Sequence, residues 1–349
     1  MRIERLNSQI LFILILFMLI SAYTLFSIGK VDFFFKQLLF WFIFFLIILS
    51  SIFIRYDALF KTHLFYIIYI LGILLLLMLF FLPSKDRIWL HIGNISIQPS
   101  EFIRIVFLIT LSLFLSKYYH LLNNNYYLFL SFLIISPFLI LILLQPDLGM
   151  FLLFFLTWVF SVLIFLSSHK LIKVIILILL LAIFSWFLIL KDYQKERILI
   201  LINPYKDPLK SGYNLIQLRI TIGSAGFWGK GMGENTQAKL GFLPSAHTDF
   251  LLASFIEGKG FIGLFLYSFL MIAFLYILYH ENKFIKDNIA KTFTNLLILH
   301  FGLRFLITLG VNLSILPIIG LSIPFLSYGG SHLISDAILI SIWHSLRYK

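Results

Sequence analysis

Apolar runs long enough to cross a bilayer recur from one end of the chain to the other, and no other feature constrains the fold as much. A helix rising 1.5 Å per residue needs roughly 20 mostly apolar residues to cross about 30 Å of hydrocarbon. Runs of this kind lie near 9–29, 33–54, 64–82, 102–116, 126–144, 148–166, 171–190, 251–279, 289–310 and 331–346. In lipid every backbone polar group must find its partner within the protein, so continuous runs this long are helical. The short alternating strands of a membrane β-barrel are not visible. The expected fold class is an all-α integral membrane protein of about ten transmembrane helices. It forms a single polytopic domain over 1–349, with a large extracytoplasmic loop at 191–250 between helices 7 and 8. The run 102–116 is short for a crossing. The first run follows Arg2 and Arg5 and has the outline of a secretory signal, but it is too long for a typical signal core and is read as a retained helix.

Composition agrees. Of 349 residues, 61% are hydrophobic and 12% charged, against about 25% charged in soluble domains. That excludes an ordinary soluble enzyme and a disordered chain. The sequence contains no cysteine, so disulfides, zinc–thiolate sites and a cysteine nucleophile are excluded. A net charge of +12 would suggest nucleic acid in a soluble protein, but here it is first a topology signal. With the N-terminus placed inside, the inner short segments hold twelve Lys or Arg, among them Arg55, Lys117, Lys170, Lys283 and Arg347. The outer short segments hold four: Lys30, Lys36, Lys85 and Arg87. This asymmetry predicts both termini in the cytoplasm and no nucleic-acid partner.

In so apolar a chain, ionisable groups near the spans carry the information, because a charge at mid-membrane costs about 2.5–3.5 kcal/mol. The segment QPSEFIR puts Glu101 and Arg104 three apart at the start of the fourth span, on one helix face and able to pair. Ser100 is the expected cap. QPDLG at 145–149 reads as a tight polar hairpin, with Pro146 in the first helical turn and Asp147 beside the helix dipole. The loop 191–250 carries eight Lys or Arg, including Arg197, Arg219 and Lys230. Its GSAGFWGKGMG stretch at 223–233 fails the P-loop spacing and reads as a flexible loop with close backbone approach. LPSAHTDF at 243–250 brings Asp249 to the mouth of the eighth span. His247 and Asp249, two apart, would not share a helix face, which weakens a metal pair. No G-x-S-x-G elbow exists for a serine hydrolase. Arg304 and Asp336 lie inside the last two spans and are a candidate ion pair. A cationic loop beside carboxylates at one membrane face suits an anionic, lipid-linked substrate. It does not separate a transferase from a transporter.

These segments together resemble the RodA/FtsW (SEDS) family of bacterial cell-wall synthesis. The resemblance runs from about residue 85 to the end and rests on QPSE (98–101), QPDLG (145–149), AHTDF (246–250) and SYGGS (327–331). KDYQKERI (191–198) and NPYKDPLKSGYNLIQ (203–217) are more similar to the elongation branch, RodA, than to the division branch, FtsW. The resemblance implies a peptidoglycan glycosyltransferase in the bacterial inner membrane. Such an enzyme polymerises lipid II during elongation and releases undecaprenyl diphosphate. The implied partners are a class B penicillin-binding protein, the elongation machinery and membrane lipid. A lipid II flippase, a division-type polymerase and a scaffold without chemistry are the alternatives. Asp249 matches the family's essential aspartate and is expected as general base, and as candidate ligand of a divalent cation (Mg or Mn). Glu101, Arg104, Arg197, Gln217, Lys230, His247 and Thr248 are expected to support or bind substrate. Three positions depart from the family pattern: Ser245 and Gly258, where Glu is common, and the stretch before Trp89, where Arg87 is displaced by one.

Overall fold

Among the described residues the apolar runs fold as helices in the expected order. The computed structural model describes residues 7–54, 56–81, 87–93, 95–176, 192–210, 212–234 and 236–347. It comprises α1 (Ser8–Ser27), α2 (Val31–Ser50), α3 (Thr62–Phe81), α4 (Pro99–Tyr118), α5 (Asn125–Leu144), α6 (Leu148–Leu163) and α7 (described over 168–176). There follow α8 (Asp192–Ile202), α9 (Tyr213–Gly223), α10 (Thr236–Lys239), α11 (Leu251–Asn282), α12 (Asn288–Asn312) and α13 (Gly330–Leu346). Among the described residues seven helices, α1 to α5, α11 and α12, are long and apolar enough to cross a membrane. The chain is a multi-pass membrane protein. The expected sixth and tenth spans are α6 and α13, of 16 and 17 residues. The expected seventh, 171–190, is helical to residue 176, and 177–190 lie outside the described residues.

Three local expectations change. The short fourth run becomes a full 20-residue helix from Pro99. Its polar first turn is accommodated because Glu101 and Arg104 neutralise each other and α4 is the most enclosed of the long helices. The N-cap of α4 is Gln98 rather than Ser100. Pro146 precedes the cap of α6, and Asp147 fills that cap, its Oδ1 accepting from the Met150 N–H at 3.1 Å. A small antiparallel hairpin also forms, β1 (Leu90–Ile92) on β2 (Ile95–Ile97), from strands too short to display alternation. About half of the loop 191–250 is helical, carrying α8, α9, α10 and a 3₁₀ turn at Pro204–Lys206.

Lipid tails are as apolar as leucine, so helices in a membrane are held by close packing and polar contacts rather than by expulsion of water. Here α13 packs on α2 and α4, α1 on α11, and α12 on α4, α6 and α11. Phe325 shows how that packing offsets strain. Its φ of 58° is costly for a side chain with a Cβ. Yet its ring is enclosed by Phe17, Phe44, Phe274 and Phe301, with centroids 5.1 to 6.3 Å away. Phe325 thereby pins the segment 318–329, which carries one wall of the site. At the opposite face, Asn7 donates to Glu281 at 2.9 Å and Arg347 pairs with the same carboxylate. Both ends of the described chain therefore lie on one side of the bundle.

Candidate functional site

Under the site lies a closed set of charges. Glu101 Oε2 is 3.0 Å from an Nη of Arg104, which is 2.8 Å from Asp336 Oδ1. Arg304 donates to both oxygens of Asp336, at 2.9 and 3.1 Å. Ser322 joins the ends: it accepts from Arg304 at 2.5 Å and donates to Glu101 Oε1 at 2.8 Å. Arg104 also donates to Ser335. All four charged residues are buried, and their formal charges cancel. The expected pairs Glu101–Arg104 and Arg304–Asp336 are therefore both present, fused into one network that ties α4, α12 and α13 to the segment 318–322.

Asp249 stands above this network at the meeting of three segments. The turn 244–250 is set by Ser245, whose φ is 51° and whose carbonyl accepts from Thr248 N at 3.0 Å and Phe250 N at 3.2 Å. Asn312 staples the turn to α11, donating to the Asp249 carbonyl at 3.0 Å and accepting from Ala253 N at 3.0 Å. The SYGGS segment braces it from the side. Ser327 Oγ donates to the Thr248 carbonyl at 2.8 Å, and Tyr328 N donates to the His247 carbonyl at 3.0 Å. Gln37 in turn holds this segment, donating to the Ser327 carbonyl at 3.0 Å and accepting from Gly329 N at 3.2 Å. Opposite lies α6. A Cβ on Gly149 would stand 2.6 Å from the carbonyl oxygens of Ile319 and Gly320, so only glycine allows this approach. A Cβ on Gly320 would in turn be 3.9 Å from Asp249 Oδ2.

The two aspartates thus brought together differ in their partners. Asp147 is committed. Besides capping α6, its Oδ2 accepts from Gln98 at 2.9 Å and Ser100 at 3.3 Å. Burial raises its pKa to about 6 against these bonds. The Asp249 carboxylate receives no hydrogen bond among the described residues and remains partly exposed. Burial, and then the charge of Asp147, raise its pKa to about 6. A half-desolvated carboxylate without partners, with a pKa near neutral, has the properties of a proton acceptor. Among the described residues no group of three or more His, Cys, Asp or Glu is arranged to hold a metal.

The other expected residues are placed unequally. Arg197, on α8, donates to the carbonyl of Ile318 at 3.5 Å, two residues from Gly320, and so belongs to the rim near Asp249. His247 stacks on Phe33, centroids 4.7 Å apart, and faces Tyr328 at 6.0 Å. Burial and the nearby Lys30 lower its pKa, so it is a neutral wall of the turn. Thr248 accepts from Ser327 through its carbonyl, and its hydroxyl donates to the Ser245 carbonyl at 3.4 Å within the turn. Gln217 lies on α9, which packs on α11. Lys230 is engaged elsewhere: its ammonium lies 2.7 Å from Glu257 Oε1. Buried Glu257 also accepts from Thr236 Oγ1, Gln237 N and Ala238 N at 2.9 to 3.3 Å. The 223–233 loop is docked, with Lys230 N and Gly231 N on the carbonyls of Glu257 and Gly258 at 2.9 and 3.0 Å. The expected close backbone approach is present, where Gly229 meets Gly260 at a break in α11.

Over residues 4–349 the sequence matches the family described as "Cell cycle protein" (FTSW_RODA_SPOVE). The chain belongs to this family. Among its relatives, a probable peptidoglycan glycosyltransferase FtsW of Buchnera aphidicola (Schizaphis graminum) is 36% identical over 89% of each chain. Peptidoglycan glycosyltransferase MrdB of Escherichia coli K12 is 34% identical over 70% of this chain and 66% of its own length. A solved structure, described as a peptidoglycan synthase complex that coordinates polymerization and crosslinking, matches with a TM-score of 0.83 at 25% identity. It covers 98% of this chain and 97% of its own. The rod shape determining protein RodA of Thermus thermophilus shares the fold, with a TM-score of 0.69 at 21% identity over 97% of this chain and 95% of its own. The chain is accordingly a peptidoglycan glycosyltransferase of the FtsW/RodA family. Its departure at Ser245 leaves the Asp249 turn intact, since the turn uses the carbonyl of that residue. Gly258 likewise contributes its carbonyl.

Sequence reasoning missed Asn312, Ser322, Gln37 and Gly320, and it marked Ser327 only as part of SYGGS. All but Gly320 are polar residues in or beside apolar runs, and that was the available signal.

Proposed function

We propose that this glycosyltransferase polymerises lipid II during cell elongation, with Asp249 as general base. The observation that carries the reading is the Asp249 carboxylate, partly desolvated, without hydrogen bonds among the described residues and with a pKa of about 6. A hydroxyl of the acceptor sugar gives its proton to Asp249, and its oxygen attacks the anomeric carbon of the donor. The bond from that carbon to the phosphate oxygen breaks, and undecaprenyl diphosphate leaves with the electron pair. A positioned base of this kind contributes about 10²–10⁴-fold. The diphosphate is already a competent leaving group and needs charge stabilisation, which Arg197 and the cationic 191–250 segment supply. A hard ion such as Mg would find one carboxylate at Asp249, its other ligands being diphosphate oxygens and water, a pattern usual for that ion. Glu101 and Arg104 support the site by holding its floor.

The proposed location is the bacterial inner membrane with both termini cytoplasmic; the charge asymmetry of the short loops supports that orientation, and the contacts of Asn7 and Arg347 with Glu281 agree with both ends lying on one side. A class B penicillin-binding protein is the proposed partner, on the likeness to a synthase complex that couples polymerization to crosslinking. The elongation role rests on KDYQKERI and NPYKDPLKSGYNLIQ. A division role is the second reading, favoured by the wider coverage of the FtsW relative. Complementation of elongation- and division-depleted cells separates the two. Reconstitution with labelled lipid II and a partner transpeptidase tests the chemistry. Wild type is expected to form glycan strands and Asp249→Asn none. Full polymerisation by Asp249→Asn overturns the base assignment, and translocation without polymerisation favours a flippase.

A further inference from the structure

A groove of about 290 Å³ opens between α1 and α11, lined by Leu16, Ile20, Phe255, Leu266, Tyr23 and Lys259. Both helices are long and apolar enough to cross a membrane. Its head lies where the polar loop region ends. Lys259 adjoins Gly260, the break in α11 against which Phe227 and Gly229 pack. Tyr23 is one turn from Ser27, whose Oγ accepts from Gly233 N at 2.9 Å. From Tyr23 to Leu16 the groove descends seven residues, about 10 Å. At ~30 Å³ per water-sized unit the groove holds about ten such units, comparable with part of one acyl chain.

The polar groups at the head are incompletely matched. The Lys259 ammonium sits 4.6 Å over the Tyr23 ring, and among the described residues no carboxylate pairs with it. The Tyr23 hydroxyl is buried and has no hydrogen-bond partner among the described residues. An exposed cation at the head of an apolar trough complements a phosphate carrying a hydrocarbon tail. We propose that this groove is a site for one anionic glycerophospholipid, its acyl chain against Leu16 and Leu266 and its phosphate on the exposed Lys259. Such a lipid braces α1 against the break in α11. It is distinct from the substrate, whose reacting end belongs at Asp249.

Native mass spectrometry of the full chain tests this, with phosphatidylglycerol, phosphatidylcholine of the same chains and undecaprenyl phosphate as probes. Wild type should retain one phosphatidylglycerol and prefer it over phosphatidylcholine by about fivefold, the factor one cation near an anionic headgroup provides. Lys259→Gln should lose the preference while Lys259→Arg keeps it. Leu266→Trp, which fills the trough at a partly exposed position, should lose retention of both phospholipids. Equal retention of the two by wild type overturns the proposal, as does a preference that survives Lys259→Gln or retention that survives Leu266→Trp. Displacement of phosphatidylglycerol by equimolar undecaprenyl phosphate overturns the assignment to a glycerophospholipid.

Discussion

Arg304 holds both carboxylate oxygens of Asp336, at 2.9 and 3.1 Å, where solvent reaches neither residue. The bond matters because Arg104 leans on the same aspartate, 2.8 Å from Oδ1. Asp336 therefore separates two guanidiniums that would otherwise face each other at low dielectric. Asp336→Leu should destabilise the protein by about 3–5 kcal/mol, the usual cost of leaving a buried charge unpaired. Combining it with Arg304→Met removes one of the stranded cations and should recover part of that loss. A double-mutant cycle on thermal unfolding in detergent measures the coupling. Additive effects would contradict the network.

Glu257 and Lys230 test whether the cationic loop is structural or substrate-facing at this point. Four donors converge on Glu257: the Lys230 ammonium, the Thr236 hydroxyl and the N–H groups of Gln237 and Ala238. Lys230→Met leaves that acid buried without its counter-charge. The expected result is faster proteolytic cleavage within 223–240 and a stability loss of about 1–3 kcal/mol. Weaker lipid II binding with an unchanged cleavage rate would instead assign Lys230 to the substrate.

The helices were legible because lipid imposes one rule on every long apolar run, and Asp249 and Glu101 drew attention because acids are scarce in this chain and because AHTDF and QPSE resemble the family's motifs. What stayed hidden depends on contacts remote in sequence. Arg104 was paired with Glu101 from i, i+3 spacing, but its second acid, Asp336, lies 232 residues away. Lys230 was grouped with the residues expected to support or bind substrate because nothing local indicated that Glu257 was buried beneath it. Asn312 and Ser322 carry no charge and resemble ordinary span residues until the turn they hold is seen. The docking of the glycine-rich loop depends on the break at Gly260, which a periodic apolar pattern conceals.

Gly149→Ala is expected to impair catalysis out of proportion to its size. The added methyl would stand 2.6 Å from two backbone oxygens, Ile319 O and Gly320 O, with no flexible side chain to yield. Overpacking of this kind costs about 1–3 kcal/mol. The displaced segment is the one beside Asp249. A shift of about 1 Å at a reacting group can cost about 10²-fold in rate. Turnover in the reconstituted assay should fall far more than the melting temperature. Unchanged turnover with full expression would show that the 318–320 segment does not position Asp249.

The pH profile follows from the paired aspartates. Asp249 must be ionised to accept a proton, and its pKa is about 6. Polymerisation should therefore be full above about pH 7 and fall as pH drops through 6, tenfold per unit once protonation dominates. Asp147 contributes to that raised value through its negative charge, so Asp147→Asn should move the acid limb to lower pH while the amide keeps the cap on α6. Stability runs the opposite way. A carboxyl whose folded pKa exceeds its unfolded value favours folding fully below about pH 4, and that contribution is lost as pH rises through about 6. Asp249→Asn should hence be neutral or stabilising at pH 7.5, by at most about 1–3 kcal/mol, with the difference closing below pH about 4. Activity of wild type and Asp147→Asn, and melting temperature of wild type and Asp249→Asn, recorded across pH 4–8, check these signs together. An acid limb unmoved by Asp147→Asn would mean that the two carboxylates do not interact.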